Sequence, residues 1–380
     1  MPSPEPMRRV EGLDTLRAIA ITWVFMYHHM VFVSHAPTFG WLSEIGWTGV
    51  DLFFVLSGYL IGNQIFAGIA GGRRLSLKAF YIRRFLRTLP VYYVVLALYF
   101  VLPAFMGAGP LPPLWKFLTF TQNYQLAAGT GFSHAWSLCV EEQFYLLLPA
   151  LSLLLIRLRR PLPWAWILVG SLIAAAILTR CLLWYSYGLE SQGGYYPHIY
   201  YSSFCRADEF LPGVAVAMLK NFHPALWQRV MGWGNYLLCL GMAGVSGVYW
   251  LLLGSYQIEG YGYGFFATGF GYSLMAIAFG VLVLAALSPK SLLHQVRVPG
   301  AAPLALWSYS IYLSHKAVAA ICARILAGQG IPADSLAALF AIVPACLLVG
   351  WALYRLVETP FMNLRHKVSP SSFRRVTPQE

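Results

Sequence analysis

The chain has 380 residues, of which 58% are hydrophobic and only 11% charged, and it carries a formal net charge of +12. A soluble domain carries about 25% charged residues, so there is too little polar surface here to cover a water-exposed globule, and one membrane-embedded body is expected. The basic residues fall in alternate loops, a pattern that sets orientation in a bilayer and argues against a nucleic-acid partner.

A hydrocarbon core about 30 Å thick takes roughly 20 apolar residues as a helix. Runs of this kind lie at approximately 13–34, 46–68, 84–105, 134–156, 163–186, 205–219, 232–254, 265–287, 303–326 and 335–357. They predict an all-α integral membrane protein of about ten transmembrane helices. The first run carries Arg17 and His28 and is closed by no small-x-small site, so it reads as a retained span rather than a cleavable signal. Arg206, Asp208 and Pro212 interrupt the sixth. The transmembrane domain is expected over 1–365 and a polar cytoplasmic tail over 366–380, with the chain loosely ordered after about Phe361.

The loops test this count. Arg8 and Arg9, the run Arg73 to Arg87, Arg157 to Arg160, Lys220, Arg229, Lys290, Arg297 and the C-terminal Arg355 to Arg375 all belong to one side. The other side holds only Lys116. Short basic loops are cytoplasmic, so both termini are expected in the cytoplasm and the protein in the inner membrane. The six cysteines stand singly in apolar segments, without a CxxC pair. They read as small core residues, with neither a disulfide framework nor a metal site.

Ionisable groups inside a bilayer are costly and point to function. Arg17 and His28 are eleven residues apart, which on a helix is three turns plus about 20° and roughly 16–17 Å of rise, so both project from one face. Asp14 lies one turn below Arg17 and can pair with it, whereas His29 points about 100° away from His28. The spacing suits a long ligand with an anionic head and a reactive end, such as acyl-CoA. The plain alternative is a packing histidine with a snorkelling arginine. In the fourth span, SHAWSLCVEEQFYLLLP, Glu141 is expected about 10 Å inside the membrane, at the depth of His28, where it would support the imidazole as a base. Ser137 and Tyr145 share its face, and Glu142 faces elsewhere. Arg83, Arg84 and Arg87 cluster at the start of the third span, where they would clamp phosphates or set topology. Arg206, Asp208, Tyr312 and His315 are weaker cavity-lining candidates, and a lone histidine such as His315 is more often a packing group. Glu358 is expected to pair with an arginine at the interface.

Together these segments resemble the acyltransferase-3 family of bacterial membrane acyltransferases. The resemblance rests on LDTLRAIAITWVFMYHH with Arg17 and His28, GVDLFFVLSGYLI at 49–61, and RRFLRTLP at 83–90. HAWSLCVEEQFYLLLP, RADEFLPGVAVA at 206–217, YSIYLSH at 309–315 and ETPF at 358–361 follow in order. It implies transfer of an acyl group, usually acetyl, from cytoplasmic acyl-CoA to a hydroxyl, commonly of a surface polysaccharide. It also implies His28 as the catalytic histidine, Arg17 as its partner in the motif, and Glu141 as the glutamate of WSLxxExxFY. Lys316 departs from the pattern, where an apolar residue or Pro is usual. With no fused esterase-like domain in this sequence, the membrane body is expected to act alone or to recruit a partner. The bilayer, acyl-CoA and a glycan acceptor are the expected partners, and a homo-oligomer is compatible with the sequence. The rival is a transporter or flippase with a His28–Glu141 proton relay. A third reading is a non-catalytic scaffold that does not bind CoA.

Overall fold

A computed structural model describes residues 10–107, 109–189, 192–258 and 262–374, so Arg8, Arg9 and Arg375 lie outside the described residues. The chain is an all-α membrane protein. Its main helices are α1 (Glu11–His29), α2 (Gly49–Ala70), α3 (Leu77–Val101), α4 (Trp136–Leu155), α5 (Pro161–Tyr187), α6 (Leu211–Phe222), α7 (Gly234–Leu252), α8 (Tyr272–Leu287), α9 (Ala301–Ala327), α10 (Leu336–Leu353) and α11 (Thr359–Val368). Among the described residues, nine helical segments are long and apolar enough to cross a membrane. They coincide with nine of the ten expected spans.

The exception is 205–219. It forms a short helix Ser203–Arg206, a 3₁₀ stretch Ala207–Phe210, and only then α6, whose first turn holds Pro212. The break has a cause in the sequence. Arg206, Asp208 and Glu209 are all buried and each needs an ionic partner, which fixes the backbone locally. Helix α6 packs along α2 through two glycines: a Cβ on Gly58 would strike the Phe210 carbonyl, and one on Gly213 the Val55 carbonyl. Small residues at such contacts let helices approach closely.

Helices α2 and α8 are the central ones, with 61% and 72% of their most apolar windows buried, while α5 is peripheral at 17%. Peripheral positions carry exposed Leu178, Leu182 and Trp250, as a lipid-facing surface requires.

The two ends of the bundle can be followed by contacts. At one end, β1 (Arg74–Leu75) pairs antiparallel with β4 (Phe373–Arg374), Glu11 at the start of α1 meets Arg297 at 3.0 Å, and Arg83 donates to the Ser369 carbonyl. This end gathers the loops that the charge pattern assigns to one side. At the other end, β2 (Gln257–Ile258) pairs with β3 (Gly262–Tyr263), and the Tyr263 amide bonds the Gly188 carbonyl. Arg324 also lies at this second end, donating to the Ala104 and Phe105 carbonyls, so Lys116 is not alone there. Three further expectations change. The tail after Phe361 is helical to Val368 and then tied down by β4, because Ser372 and Phe373 pair back onto the α2–α3 turn. All six cysteines are free, but only Cys139, Cys205 and Cys346 are buried, and Cys239 is exposed. Finally, α1 ends at His29 and continues as a π-helical turn, Met30–Ser34.

Candidate functional site

Three imidazoles meet near the second end. His28 comes from the last turn of α1, His315 from α9, and His134 from the 3₁₀ turn Ser133–Ala135 that leads into α4. His28 Nδ1 lies 2.8 Å from His315 Nε2. The His134 ring centroid is 6.0 Å from that of His28 and 5.7 Å from that of His315. His28 and His134 line a cavity of about 250 Å³ whose remaining wall is largely aromatic, including Trp47, Trp136, Tyr196 and Tyr200. Lys316 Nζ donates to Ser133 Oγ on that wall at 3.3 Å and sits 3.6 Å over the Phe32 ring. His29 turns away, its ring held near Phe25 and Phe39 and both its nitrogens buried without a hydrogen-bond partner among the described residues.

A second cavity, of about 110 Å³, opens nearer the basic end, between α1, α2, α3, α4 and α9. Arg17, Arg84, Arg87, Glu141, Tyr145 and Glu358 line it. Glu141 accepts from Ser57 at 2.6 Å and from Tyr145, and pairs with Arg84 at 3.5 Å. Arg84 also reaches Glu142 at 3.8 Å, and its guanidinium lies 3.5 Å over the Tyr145 ring. Asp14, half-buried one turn back on α1, acts on Arg17 through its charge. Glu358 accepts from Ser310 at 3.1 Å. Between the cavities stands a thin partition. Val50 lines both, and the Tyr312 hydroxyl donates to the His134 carbonyl at 2.6 Å while Ser137 Oγ bonds that hydroxyl, also at 2.6 Å.

The expected contact of Glu141 with His28 does not form. His28 lies in the last turn of α1 and meets His134, in the turn that leads into α4, while Glu141 is seven residues farther along and about 10 Å deeper toward the basic end. The partner of His28 is His315, which the sequence ranks only as a weaker cavity-lining candidate beside a packing alternative. Arg83 does not line this cavity: it donates to the Ser369 carbonyl, while Arg84 and Arg87 join Arg17 there.

Arg206 lines neither of these two cavities, while Asp208 lines a separate apolar one of about 510 Å³ between α4, α5 and α6; both belong to buried ion-pair networks. Arg206 pairs with Asp51 at 2.5 Å and with Glu209, and stands over the rings of Trp136, Tyr200 and Tyr272. Asp208 takes a bidentate grip from Arg180, at 2.8 and 3.1 Å, and a 2.5 Å bond from Ser273. Arg180 went unsingled in the sequence, although a lone arginine within the apolar run of α5 is itself a signal for such a partner. Among the described residues, no set of three or more His, Cys, Asp or Glu side chains is arranged to hold a metal.

The model of an acyltransferase family, described as "Acyltransferase domain", matches residues 10–355. Over 230 residues the chain is 31% identical to the "Peptidoglycan O-acetyltransferase OatA" of Listeria monocytogenes, covering 56% of this chain and 34% of that protein. It is 28% identical over 246 residues to a Staphylococcus aureus protein named "Putative O-acetyltransferase SACOL0978", covering 59% and 38%. With a Bacillus subtilis protein named "Putative peptidoglycan O-acetyltransferase YrhL" the identity is 26% over 227 residues, covering 56% and 33%. The chain thus spans about a third of the length of these curated relatives. No solved structure matches it.

Proposed function

Because the chain belongs to the acyltransferase-3 family, whose model spans residues 10–355, we propose that it is a membrane O-acyltransferase that moves an acetyl group from acetyl-CoA to a hydroxyl of a glycan. The observation that carries this reading is the pair of cavities strung along α1, one basic around Arg17 and one holding His28, on either side of the Tyr312–Ser137 partition. Such an arrangement suits a donor with an anionic head and a reactive end better than a symmetric transport path. The peptidoglycan acetyltransferases among the relatives favour a glycan acceptor.

In this reading the basic end faces the cytoplasm, as its loops predict. Arg17 and Arg87 hold the CoA phosphates, with Arg84 beside them. Glu141, Ser57 and Tyr145 fix Arg84 in place. The pantetheine arm runs along α1, the Tyr312–Ser137 partition parts, and the thioester reaches the histidine cavity. There a sugar ring stacks against Trp47, Trp136 or Tyr196, which offer flat apolar faces. His28 takes the proton from the acceptor hydroxyl as its oxygen bonds the carbonyl carbon, the carbon–sulfur bond breaks, and the CoA thiolate leaves carrying that proton from His28. The ammonium of Lys316 supplies positive charge beside the developing oxyanion.

The test uses the full chain in lipid nanodiscs with acetyl-labelled acetyl-CoA and a soluble N-acetylglucosamine oligosaccharide. Label should pass to the sugar, and His28→Ala should lower the rate about 100-fold or more. Full transfer by His28→Ala, or solute flux without any binding of CoA, would overturn the proposal.

A further inference from the structure

Two imidazoles lying edge to edge in one plane have centroids separated by one nitrogen–nitrogen distance plus two ring radii. The His28 and His315 rings fit that description: the centroids are 5.0 Å apart, the planes differ by 7°, and Nδ1 to Nε2 is 2.8 Å. An imidazole N–H lies in its ring plane, so this is a straight in-plane hydrogen bond with one proton between the two nitrogens.

Which nitrogen owns that proton follows from the other side of His315. Its Nδ1 lies 3.0 Å from the Ile311 carbonyl and 2.9 Å from the Tyr312 carbonyl, one and the same turn of α9. Carbonyl oxygens only accept, so Nδ1 must carry a hydrogen. His315 is buried next to the Lys316 ammonium, where a second positive charge is costly. A neutral His315 with its hydrogen on Nδ1 has a bare Nε2, which can only accept. His28 must therefore donate from Nδ1. Its Nε2 has no hydrogen-bond partner among the described residues, and His28 lines the aromatic cavity.

We propose that His315 is a positioning residue that fixes His28 as the Nδ1–H tautomer, so that the Nε2 lone pair is free in the cavity to take a proton from an acceptor hydroxyl. This rests on the acyl-transfer reading for its purpose, but not for its geometry. The role is the one a carboxylate plays behind a catalytic histidine elsewhere, filled here by a second imidazole whose own orientation is locked by the backbone of α9. When Nε2 takes the proton, the charge stays on His28, and its Nδ1–H bond to His315 becomes charge-assisted and stronger. No proton has to leave the pair.

The direct test is ¹⁵N spectroscopy of the histidine-labelled full chain in nanodiscs. The sequence has nine histidines, and loss of signals in His28→Asn and His315→Gln identifies the two in question. The proposal expects a protonated Nδ1 and a bare Nε2 on both rings; a protonated Nε2 on His28 overturns it. Kinetics give a second readout. His315→Gln retains an acceptor oxygen near the position of Nε2 and should keep kcat within about tenfold. His315→Leu removes the acceptor and should lower kcat about 100-fold with the KM for acetyl-CoA unchanged. Equal activity of the two variants would also overturn the proposal. If His28→Ala retained transfer while the spectra came out as expected, the acyl-transfer reading would fail and the tautomer assignment would stand.

Discussion

Arg206→Leu is the most demanding test of how the bundle is held together. Arg206 is fully buried, and its guanidinium neutralises Asp51 and Glu209, both also fully buried. Removing it leaves two carboxylates without their cation inside the membrane body. Breaking a buried pair in this way costs about 3–5 kcal/mol, or two to three and a half decades in the folded-to-unfolded ratio at about 1.4 kcal/mol per decade. The three rings around the guanidinium, 4.2 to 5.0 Å away, add to the loss. Arg297→Gln is the control. Its pair with Glu11 has side chains 83% and 40% exposed, and such pairs contribute at most about 1 kcal/mol. A thiol-reactive dye reads unfolding in detergent, because Cys139, Cys205 and Cys346 are buried and free. Arg206→Leu should melt well below the parent protein and Arg297→Gln alongside it. Replacing Asp51 and Glu209 by Leu together with Arg206 should recover much of the loss, since no charge is then stranded. If Arg206→Leu alone melts with the parent, the ion-pair account of the broken sixth segment is wrong.

The split of the arginine cluster gives a second prediction. Arg87→Ala should raise the KM for acetyl-CoA about tenfold, the loss of one charge-assisted contact, while Arg83→Ala, whose guanidinium is occupied by the Ser369 carbonyl, should leave it within about twofold in the same nanodisc assay. Tyr196→Ala, on the wall of the histidine cavity, should raise the KM for the glycan by about two- to tenfold and leave that for acetyl-CoA unchanged. An equal rise in both would place the sugar elsewhere.

Much of the fold was legible because a bilayer demands long apolar runs, and nine of the ten expected spans are helices of that kind. The tenth shows the limit. Apolar count alone cannot tell a spanning helix from a segment bent around Arg206, Asp208 and Glu209. Within the site, helical spacing put Ser137, Glu141 and Tyr145 on one face of α4, and all three line one cavity; it put Arg17 and His28 on one face of α1, but the structure gives each a cavity of its own. Spacing could not say how deep His28 lies relative to α4, and the structure sets it beside His134 and His315 rather than beside Glu141. Nor does one strand of sequence show which neighbour a helix turns toward. His315 looks alike whether it packs or bonds, until α1 is laid against α9.

The partition between the cavities has a meaning for the cell's energy supply. Val50 and the hydroxyls of Tyr312 and Ser137 carry no charge, and they stand between the basic cavity around Arg17 and the largely aromatic one around His28. A potential of 100 mV does about 2.3 kcal/mol of work on each elementary charge that crosses a membrane. An open file of water from Arg17 to His28 would let protons run down that gradient. A membrane protein with cavities at both depths must also insulate, and these three side chains stand where its two cavities meet.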